Sequence, residues 1–222
     1  MSLVLFDIDG TLIRRAGEHH KLALIEGIRR VTGLPTTLDG VPTQGMLDCD
    51  LILGMLGNNH PPLEQLMWDR IIEESEAAYL GNCAPTLRER VCPGVPDLLL
   101  GLSKRGAVMG LVTGNLRAIA KKKLELAGLI EYFAVGAFSQ QCRTRADLAA
   151  AAAREALELG LVAQGARVTL IGDHPNDIEA GRRNGFQTVG VATGLSSWED
   201  LAAAHPDILV HTLEELEIDH LF

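Results

Sequence analysis

Residues 3–12, LVLFDIDGTL, give the first indication of the fold of this chain. Four consecutive apolar residues end at Asp7, and Asp9 and Gly10 follow as turn residues. A short continuous apolar run that ends in this way is typical of a strand buried on both faces of a parallel sheet. The pattern therefore predicts a buried strand over residues 3–6 with two carboxylates just beyond its carboxyl end.

Further apolar runs repeat this pattern along the chain. They span residues 107–112, 167–171, 188–191 and 208–210. Helical patterns lie between or before them, over residues 95–104, 116–127, 146–159 and 177–184. Strands that alternate with helices predict an α/β fold, a Rossmann-like doubly wound parallel sheet with right-handed crossovers.

The segment between the first and second predicted strands is unusually long. Its helical patterns, without a strong strand pattern, cover residues 20–31, 48–56 and 63–80. A doubly wound fold needs only a single helix at this point. We therefore interpret residues 15–90 as an inserted helical domain, and residues 1–14 plus 91–222 as the domain that forms the sheet.

The chain has 222 residues, 47% of them hydrophobic and 22% charged, with a formal net charge of −9. This composition is typical of a folded globular protein, and the acidic charge argues against binding to nucleic acid or an anionic membrane surface. The sequence has no signal-peptide pattern and no apolar run near the ~20 residues of a membrane span. We interpret its four scattered cysteines as small buried residues in a reducing compartment, and we expect a cytoplasmic protein.

Acidic and hydroxyl side chains follow three of the predicted strands. Asp7 and Asp9 follow the first, Thr113 follows the second, and Asp173 and Asp177 follow the third. Ligands of open α/β sheets bind at the carboxyl ends of the strands, so we expect these residues to meet at one edge. Clustered carboxylates are tolerable where a hard divalent cation such as Mg²⁺ neutralises them. Each residue alone could be a turn or cap, but their joint occurrence predicts phosphoryl chemistry.

At this point a family resemblance is visible. Residues 7–12, Asp-Ile-Asp-Gly-Thr-Leu, resemble the DxDGT signature of the haloacid dehalogenase-like superfamily. Residues 111–115 resemble the second motif of that family, and residues 172–177 resemble its fourth. The resemblance covers nearly the whole chain, and the helical insert resembles the C1-type cap of the family, which closes over the site.

The resemblance implies roles for the first two acids. Asp7 would be the nucleophile that forms an aspartyl-phosphate. Asp9 would be the general acid for the leaving alcohol and then the base for water, and its main-chain carbonyl would bind the metal. Dehalogenases of the superfamily lack an acid at the position of Asp9, because a halide leaves without a proton. Asp9 therefore favours phosphate transfer over dehalogenation.

The other two motifs imply phosphate and metal ligands. The Thr113 hydroxyl and the Gly114 amide would hold phosphoryl oxygens, with Asn115 beside them in the same motif. Asp173 would bind Mg²⁺ directly, and Asp177 would bind it or orient metal-bound water. The predicted metal ligands are thus Asp7, Asp9, Asp173 and Asp177.

The third motif departs from the family pattern. Members usually carry a lysine before the helix that precedes the last motif, and residues 139–148 contain none. Arg145 stands in the place of this lysine. It is predicted to supply the positive charge beside Asp7 and the phosphate, although arginine and lysine differ in geometry. The alternatives are Lys121, Lys122 and Lys123, which we interpret instead as a solvated helix face.

The insert offers candidate substrate contacts, for which a surface or hinge role is an equally good interpretation. Arg14, Arg15, Glu18 and His19 lie near its first hinge, and residues 88–91 near its second. Residues 45–48 stand where related phosphatases carry a Gly-x-Thr-Asp segment, but the Thr is missing. We interpret His174, next to Asp173, as a loop histidine without a catalytic role.

The leading hypothesis is a Mg²⁺-dependent phosphatase for a small phosphorylated metabolite, similar to phosphoglycolate phosphatases. One alternative is a phosphomutase of the β-phosphoglucomutase type, which would return the phosphoryl group to a sugar. Another is a catalytically idle binding protein on the same fold. Intact acids at 7, 9, 173 and 177 argue against the idle protein, whereas the missing lysine favours it. The sequence leaves the substrate and the oligomeric state open.

Overall fold

The computed structural model describes residues 1–14, 18–57 and 64–222. Within them, six parallel strands form one sheet. The strands are β1 (Leu3–Phe6), β2 (Val108–Val112), β3 (Val135–Ala137), β4 (Val168–Gly172), β5 (Gln187–Val191) and β6 (Ile208–Val210). Their order in the sheet is β3-β2-β1-β4-β5-β6. The chain therefore builds the sheet outward from β1 in both directions, which confirms the predicted doubly wound α/β class.

The described residues contain eight α-helices. They are α1 (His19–Thr32), α2 (Asp48–Leu56), α3 (Gln65–Asn82), α4 (Val95–Lys104), α5 (Arg117–Ala127), α6 (Arg145–Glu158), α7 (Pro175–Arg183) and α8 (Trp198–Ala203). Short 3-10 turns lie at Arg88–Arg90, Ile130–Tyr132, Ser139–Gln141 and Ile218–Leu221. None of the helices within the described ranges is long and apolar enough to cross a membrane.

Strand β1 is buried on both faces, as its apolar run predicts. Leu3 and Leu5 point to one side of the sheet, where they pack with the alanine-rich helix α6. Val4 and Phe6 point to the other side, where they pack with α4 and α5. All four side chains are fully inaccessible to solvent. Helices therefore cover both faces of the sheet.

The insert has an apolar cluster of its own. Leu24 of α1, Ile52 of α2 and Tyr79 of α3 are buried together in it. Leu116 and Ile119 belong to the same cluster, so the start of α5 packs against the insert. The insert is therefore seated directly above one helix of the sheet region.

Two elements were not predicted from the sequence. Strand β3 is only three residues long and contains glycine, so its apolar run is too short to separate from a loop. Pairing with β2 at Gly110–Val112 defines it. Helix α8, of six residues, is also too short for its periodicity to stand out.

Some predicted details are corrected or lie outside the described residues. Helix α7 begins at Pro175, two residues before the predicted start, because proline is well suited to the first helical position. Arg15, and Leu63 at the predicted start of α3, lie outside the described residues. All four cysteines are described and free, but only Cys92 is fully buried.

Candidate active site

The candidate site lies at the carboxyl edge of the sheet, where the chain reverses its direction of winding. Strand β1 pairs with β2 on one side and with β4 on the other, so Phe6 stands beside Leu111 and Ile171. Parallel strands in this register end together. Asp7, at the end of β1, therefore meets the loops that follow β2 and β4, as the sequence predicts.

Three buried carboxylates form a cluster at this edge. Asp7, Asp173 and Asp177 are 5%, 7% and 0% exposed, and one oxygen of each lies within 4.8 Å of the others. Burial raises the pKa of all three; the pKa of Asp7 rises to about 7, with Asp177 and Asp9 adding repulsion. The three oxygens could hold a metal ion. The carboxylate of Asp9 lies outside this cluster, so its predicted ligation depends on the main-chain carbonyl alone.

Glycines allow the loops to close tightly around these acids. At Gly10, whose φ is +97°, a Cβ atom would lie 2.3 Å from Asp173 Oδ2. At Gly172 it would lie 2.3 Å from Asp177 Cγ, and at Gly194 only 1.6 Å from Asp173 Oδ2. A side chain at any of these positions would displace a carboxylate.

Gly194→Ala is therefore expected to weaken the binding of a divalent cation by about 10- to 100-fold, the range found for residues that orient metal ligands. Titration calorimetry with Mg²⁺ measures this. Gly81→Ala is the matched control, because a Cβ atom there meets nothing within 4 Å. Equal affinity in the two variants would contradict the prediction.

Arg145 is the cation of the carboxylate cluster. Its Nη1 donates to Asp7 Oδ1 at 3.0 Å and to Asp177 Oδ1 at 2.8 Å. The hydroxyl of Thr144 caps the first turn of α6 by accepting from the Asp147 amide, which fixes the start of the helix. The Nε atom of Arg145 is buried and has no partner among the described residues. The Nε–H donor of this side chain is thus not used by another side chain.

Asp9 stands in different surroundings from Asp7. Lys123 Nζ donates to its two oxygens at 2.7 and 2.6 Å, and Asn115 Nδ2 donates to Oδ2 at 2.7 Å. Burial alone would raise the pKa of Asp9, but the charge of Lys123 and the hydrogen bonds from Lys123 and Asn115 outweigh burial and lower it. Asp9 is therefore a carboxylate in this structure.

The interpretation of residues 121–123 as a solvated face is wrong for Lys123. Lys121 is exposed and Lys122 pairs with Glu125 at 3.3 Å, but the Lys123 side chain is 1% exposed. The helical repeat places Lys123 on the buried stripe of α5, four residues after Ile119 and one before Leu124. Its place in the apolar repeat of α5 is the sequence feature that distinguishes Lys123 from Lys121 and Lys122.

His20 was not predicted as a site residue; the histidine predicted near the hinge is its exposed neighbour, His19. Its Nε2 lies 2.8 Å from Asp48 Oδ2, and its Nδ1 lies 3.1 Å from Lys123 Nζ. His20 precedes the buried residue Leu24 by four positions, so it shares the inner face of α1.

The predicted phosphate-binding residues take different positions. Thr113 is fully buried, and its Oγ1 accepts hydrogen bonds from the amide and the side chain of Asn115. The Asn115 side chain also donates to Asp9 Oδ2 and accepts from Lys123 Nζ, so its polar atoms already have hydrogen-bond partners in this structure. A Cβ atom at Gly114 would lie 2.5 Å from Met46 O, so glycine permits the insert to approach here.

A cavity of about 410 Å³ lies between this edge and the insert. Its lining includes Asp7, Asp9 and Arg145 from below and Met46 and Asp48 from the insert. Further lining groups are Arg14, Glu18, Lys21, Arg90 and His174. The volume suits a small metabolite.

His174 has a structural role in this arrangement. Its Nδ1 accepts from the Asn176 amide at 3.1 Å and so caps α7. Burial, with the repulsion of Arg145, lowers the pKa of His174, which keeps the ring neutral. This hydrogen bond fixes the His174 ring at the start of α7, where it also lines the cavity.

A model of haloacid dehalogenase-like hydrolases matches residues 1–185. The chain therefore belongs to the haloacid dehalogenase-like hydrolase family, which confirms the resemblance. A phosphoglycolate phosphatase of Synechococcus elongatus is 35% identical over 138 residues, which are 62% of this chain and 61% of that protein. An N-acetylmuramic acid 6-phosphate phosphatase of Pseudomonas aeruginosa is 28% identical over 99% of this chain and 97% of its own. The predicted phosphatase class agrees with these relatives.

Solved structures confirm the fold. A β-phosphoglucomutase of Clostridium difficile superposes with a TM-score of 0.71 at 19% identity, covering 99% of this chain and 95% of its own. A hydrolase of Pseudomonas syringae superposes with a TM-score of 0.68 at 22% identity, covering 100% and 98%. At such identities the likeness concerns the fold alone.

Proposed function

We propose that this protein is a Mg²⁺-dependent phosphatase that hydrolyses a small phosphorylated metabolite through an aspartyl-phosphate on Asp7. The observation that carries the proposal is the placement of two acids at the carboxyl edge of the sheet. Asp7 lies in a buried cluster with Asp173 and Asp177 that could hold a metal ion, whereas Asp9 is held by Lys123 and lines the same cavity. A carboxylate beside a metal site and a second acid in the same cavity suit nucleophilic attack on a phosphate ester and proton transfer to its leaving oxygen. The names of the relatives support phosphate esters as substrates.

The acidic cluster fits the proposed metal. Asp7, Asp173 and Asp177 offer only oxygen ligands, and their mutual repulsion is relieved by a hard cation. Bound Mg²⁺ would neutralise these carboxylates and polarise the phosphoryl group. Arg145 already compensates part of their charge and leaves the cluster acidic.

In the first step, a carboxylate oxygen of Asp7 attacks phosphorus, and the bond between phosphorus and the alcohol oxygen breaks. Asp9 gives a proton to that oxygen. Asp9 is ionised in the free protein, and the negative phosphate that enters beside it raises its pKa, since like charges favour the protonated form. In the second step, water attacks phosphorus, Asp9 takes a proton from the water, and Asp7 leaves as the carboxylate.

Two further groups are suited to hold the phosphoryl oxygens. Thr113 Oγ1 accepts two hydrogen bonds from Asn115, so its own hydrogen is left to donate. The buried Nε of Arg145 is a second donor at the same edge. Donors fixed before the reaction stabilise charge that develops on the transferring group.

The helical insert is proposed to act as a cap domain over residues 15–90. It forms one wall of the cavity and has its own apolar cluster. A cap that closes over bound substrate would exclude bulk water from the aspartyl-phosphate step. The cytoplasmic location predicted from the sequence is part of this proposal.

Hydrolysis of 4-nitrophenyl phosphate tests the proposed function. We expect phosphate release with Mg²⁺ and none with EDTA. Release that is insensitive to EDTA would contradict the metal, and no release from this or a panel of sugar phosphates and phosphoglycolate would contradict the phosphatase. Transfer of phosphate to a second hydroxyl of a sugar, without release, would identify the mutase instead.

Mg²⁺ is also expected to raise the melting temperature. A ligand that binds only the folded state stabilises it by about 2.7 kcal/mol at 100 times its Kd, which is roughly 5–10 °C for a chain of this size. Differential scanning calorimetry with Mg²⁺ and with EDTA measures the shift. Asp173→Asn is expected to lose most of it, and an equal shift in that variant would contradict the assignment of the site.

A further inference from the structure

Lys123 is a buried cation outside the carboxylate cluster. Its Nζ donates to both oxygens of Asp9 and to Asn115 Oδ1 at 2.6 Å, and it lies 3.1 Å from His20 Nδ1. An ammonium group has three hydrogens, so these partners use its whole donor capacity. A buried lysine is tolerated when it is paired and hydrogen-bonded in this way. With Arg145 in the place of the third motif, the motifs assign no role to Lys123.

The position of Lys123 is itself fixed from the insert. Because Lys123 has only donors, His20 Nδ1 accepts from it, and His20 Nε2 carries the hydrogen that is donated to Asp48 Oδ2 at 2.8 Å. The same Asp48 oxygen accepts from the Leu116 amide at 2.7 Å. The chain of contacts thus runs from the start of α5 into the insert and returns to Lys123.

These contacts fix the orientation of the Asp9 carboxylate. Lys123 holds both oxygens, and Asn115 holds one of them a second time. The Asp9 and Lys123 side chains both line the cavity, but Asp9 remains 34% exposed whereas Lys123 is only 1% exposed. Asp7 has its own cation, Arg145. The two acids are therefore positioned by separate cations.

We propose that Lys123 is a positioning residue that holds the Asp9 carboxylate in the orientation needed for proton transfer to the leaving oxygen, and that His20 of the insert keeps Lys123 in place. The inference rests on the proposed function, because it gives Asp9 its acid–base role. Lys123 acts through Asp9 and does not contact the reacting atoms. Removing Lys123 should therefore slow the hydrolysis of a substrate more when departure of its leaving group depends more on protonation.

Two esters of nearly equal size separate this role from a structural one. The leaving group of 4-nitrophenyl phosphate departs as a stable anion, whereas that of phenyl phosphate needs more assistance from an acid. Lys123→Met keeps the length of the side chain and removes its charge. General acid catalysis is worth about 10²- to 10⁴-fold, so we expect kcat/KM, which reports formation of the aspartyl-phosphate and departure of the leaving group, to fall at least ~10-fold more on phenyl phosphate than on 4-nitrophenyl phosphate.

Lys122→Met is the matched control. It makes the same chemical change one residue earlier, at a side chain that pairs with Glu125 on the surface. Both esters are expected to be hydrolysed at the wild-type rate by this variant. In an Asp9→Asn background, Lys123→Met is expected to lower activity by less than a further ~2-fold, since the effects of substitutions at residues that act as a unit are not additive.

Equal losses on the two esters, no loss, or a full additional loss in the Asp9→Asn background would overturn the inference and leave the proposed function standing. No hydrolysis of any phosphate ester by the wild type would overturn both. If Lys123→Met does not fold, Lys123→Arg carries the same test, because it keeps the charge but its planar group does not reproduce the same contacts. We expect a smaller loss from it, again selective for phenyl phosphate, and an unselective loss would overturn the inference.

Discussion

Asp7→Asn is expected to lower phosphatase turnover by at least ~10³-fold, because an amide oxygen does not attack phosphorus as a carboxylate does. The variant should fold. It removes one of three mutually repelling carboxylates, and burial disfavours the charged form of Asp7 in the metal-free protein. Its melting temperature without metal should equal or exceed that of the wild type. Initial rates with 4-nitrophenyl phosphate and calorimetry measure both effects.

The matched control for this variant is Asp39→Asn, the same chemical change at an exposed position. We expect wild-type rates from it. A residual rate in Asp7→Asn above about a tenth of the wild-type rate, in a folded protein, would exclude Asp7 as the nucleophile.

Arg145→Ala is expected to lower kcat by about 10²-fold or more, the cost of removing one donor that stabilises developing charge. The variant loses the cation that Asp7 and Asp177 share, together with the unpartnered Nε donor. Removing one partner of a buried ion pair also destabilises a protein, by roughly 3–5 kcal/mol. The metal-free variant should therefore melt lower, and Mg²⁺ should recover part of the difference.

Arg145→Lys separates charge from geometry at this position. It restores the charge that the family usually provides by lysine, but a lysine presents a single ammonium group in place of a planar fork. We expect kcat between those of the wild type and Arg145→Ala. Wild-type activity in Arg145→Ala would show that Arg145 does not fill the position of the third motif.

The sheet and the acidic cluster could be predicted because they depend on local patterns. A continuous apolar run followed by polar turn residues indicates a buried parallel strand. Strands β1, β2 and β4 end at the same edge of the sheet. The proximity of the residues that follow them can therefore be predicted without knowing any other contact. This is why Asp7 and Asp173 could be placed together from the sequence.

The second cation and its partners depend on contacts that no local pattern specifies. Lys123, His20 and Asp48 lie on three helices far apart in the chain, and they meet only because α1 and α2 pack above the start of α5. Three consecutive lysines suggest a solvent-exposed surface, and only the assignment of a buried face to α5 separates Lys123 from the other two. The position of Lys123 beside Leu124 and four residues after Ile119 gives that face.

In the proposed function, Asp7 receives a phosphoryl group in a metal-dependent site. Beryllium fluoride, a phosphoryl mimic that binds carboxylates, tests this without knowledge of the substrate. We expect protein-bound ¹⁹F NMR signals from the wild type with Mg²⁺, and no such signals with EDTA or from folded Asp7→Asn. Bound signals that persist in Asp7→Asn, or their absence from the wild type with Mg²⁺, would contradict the account.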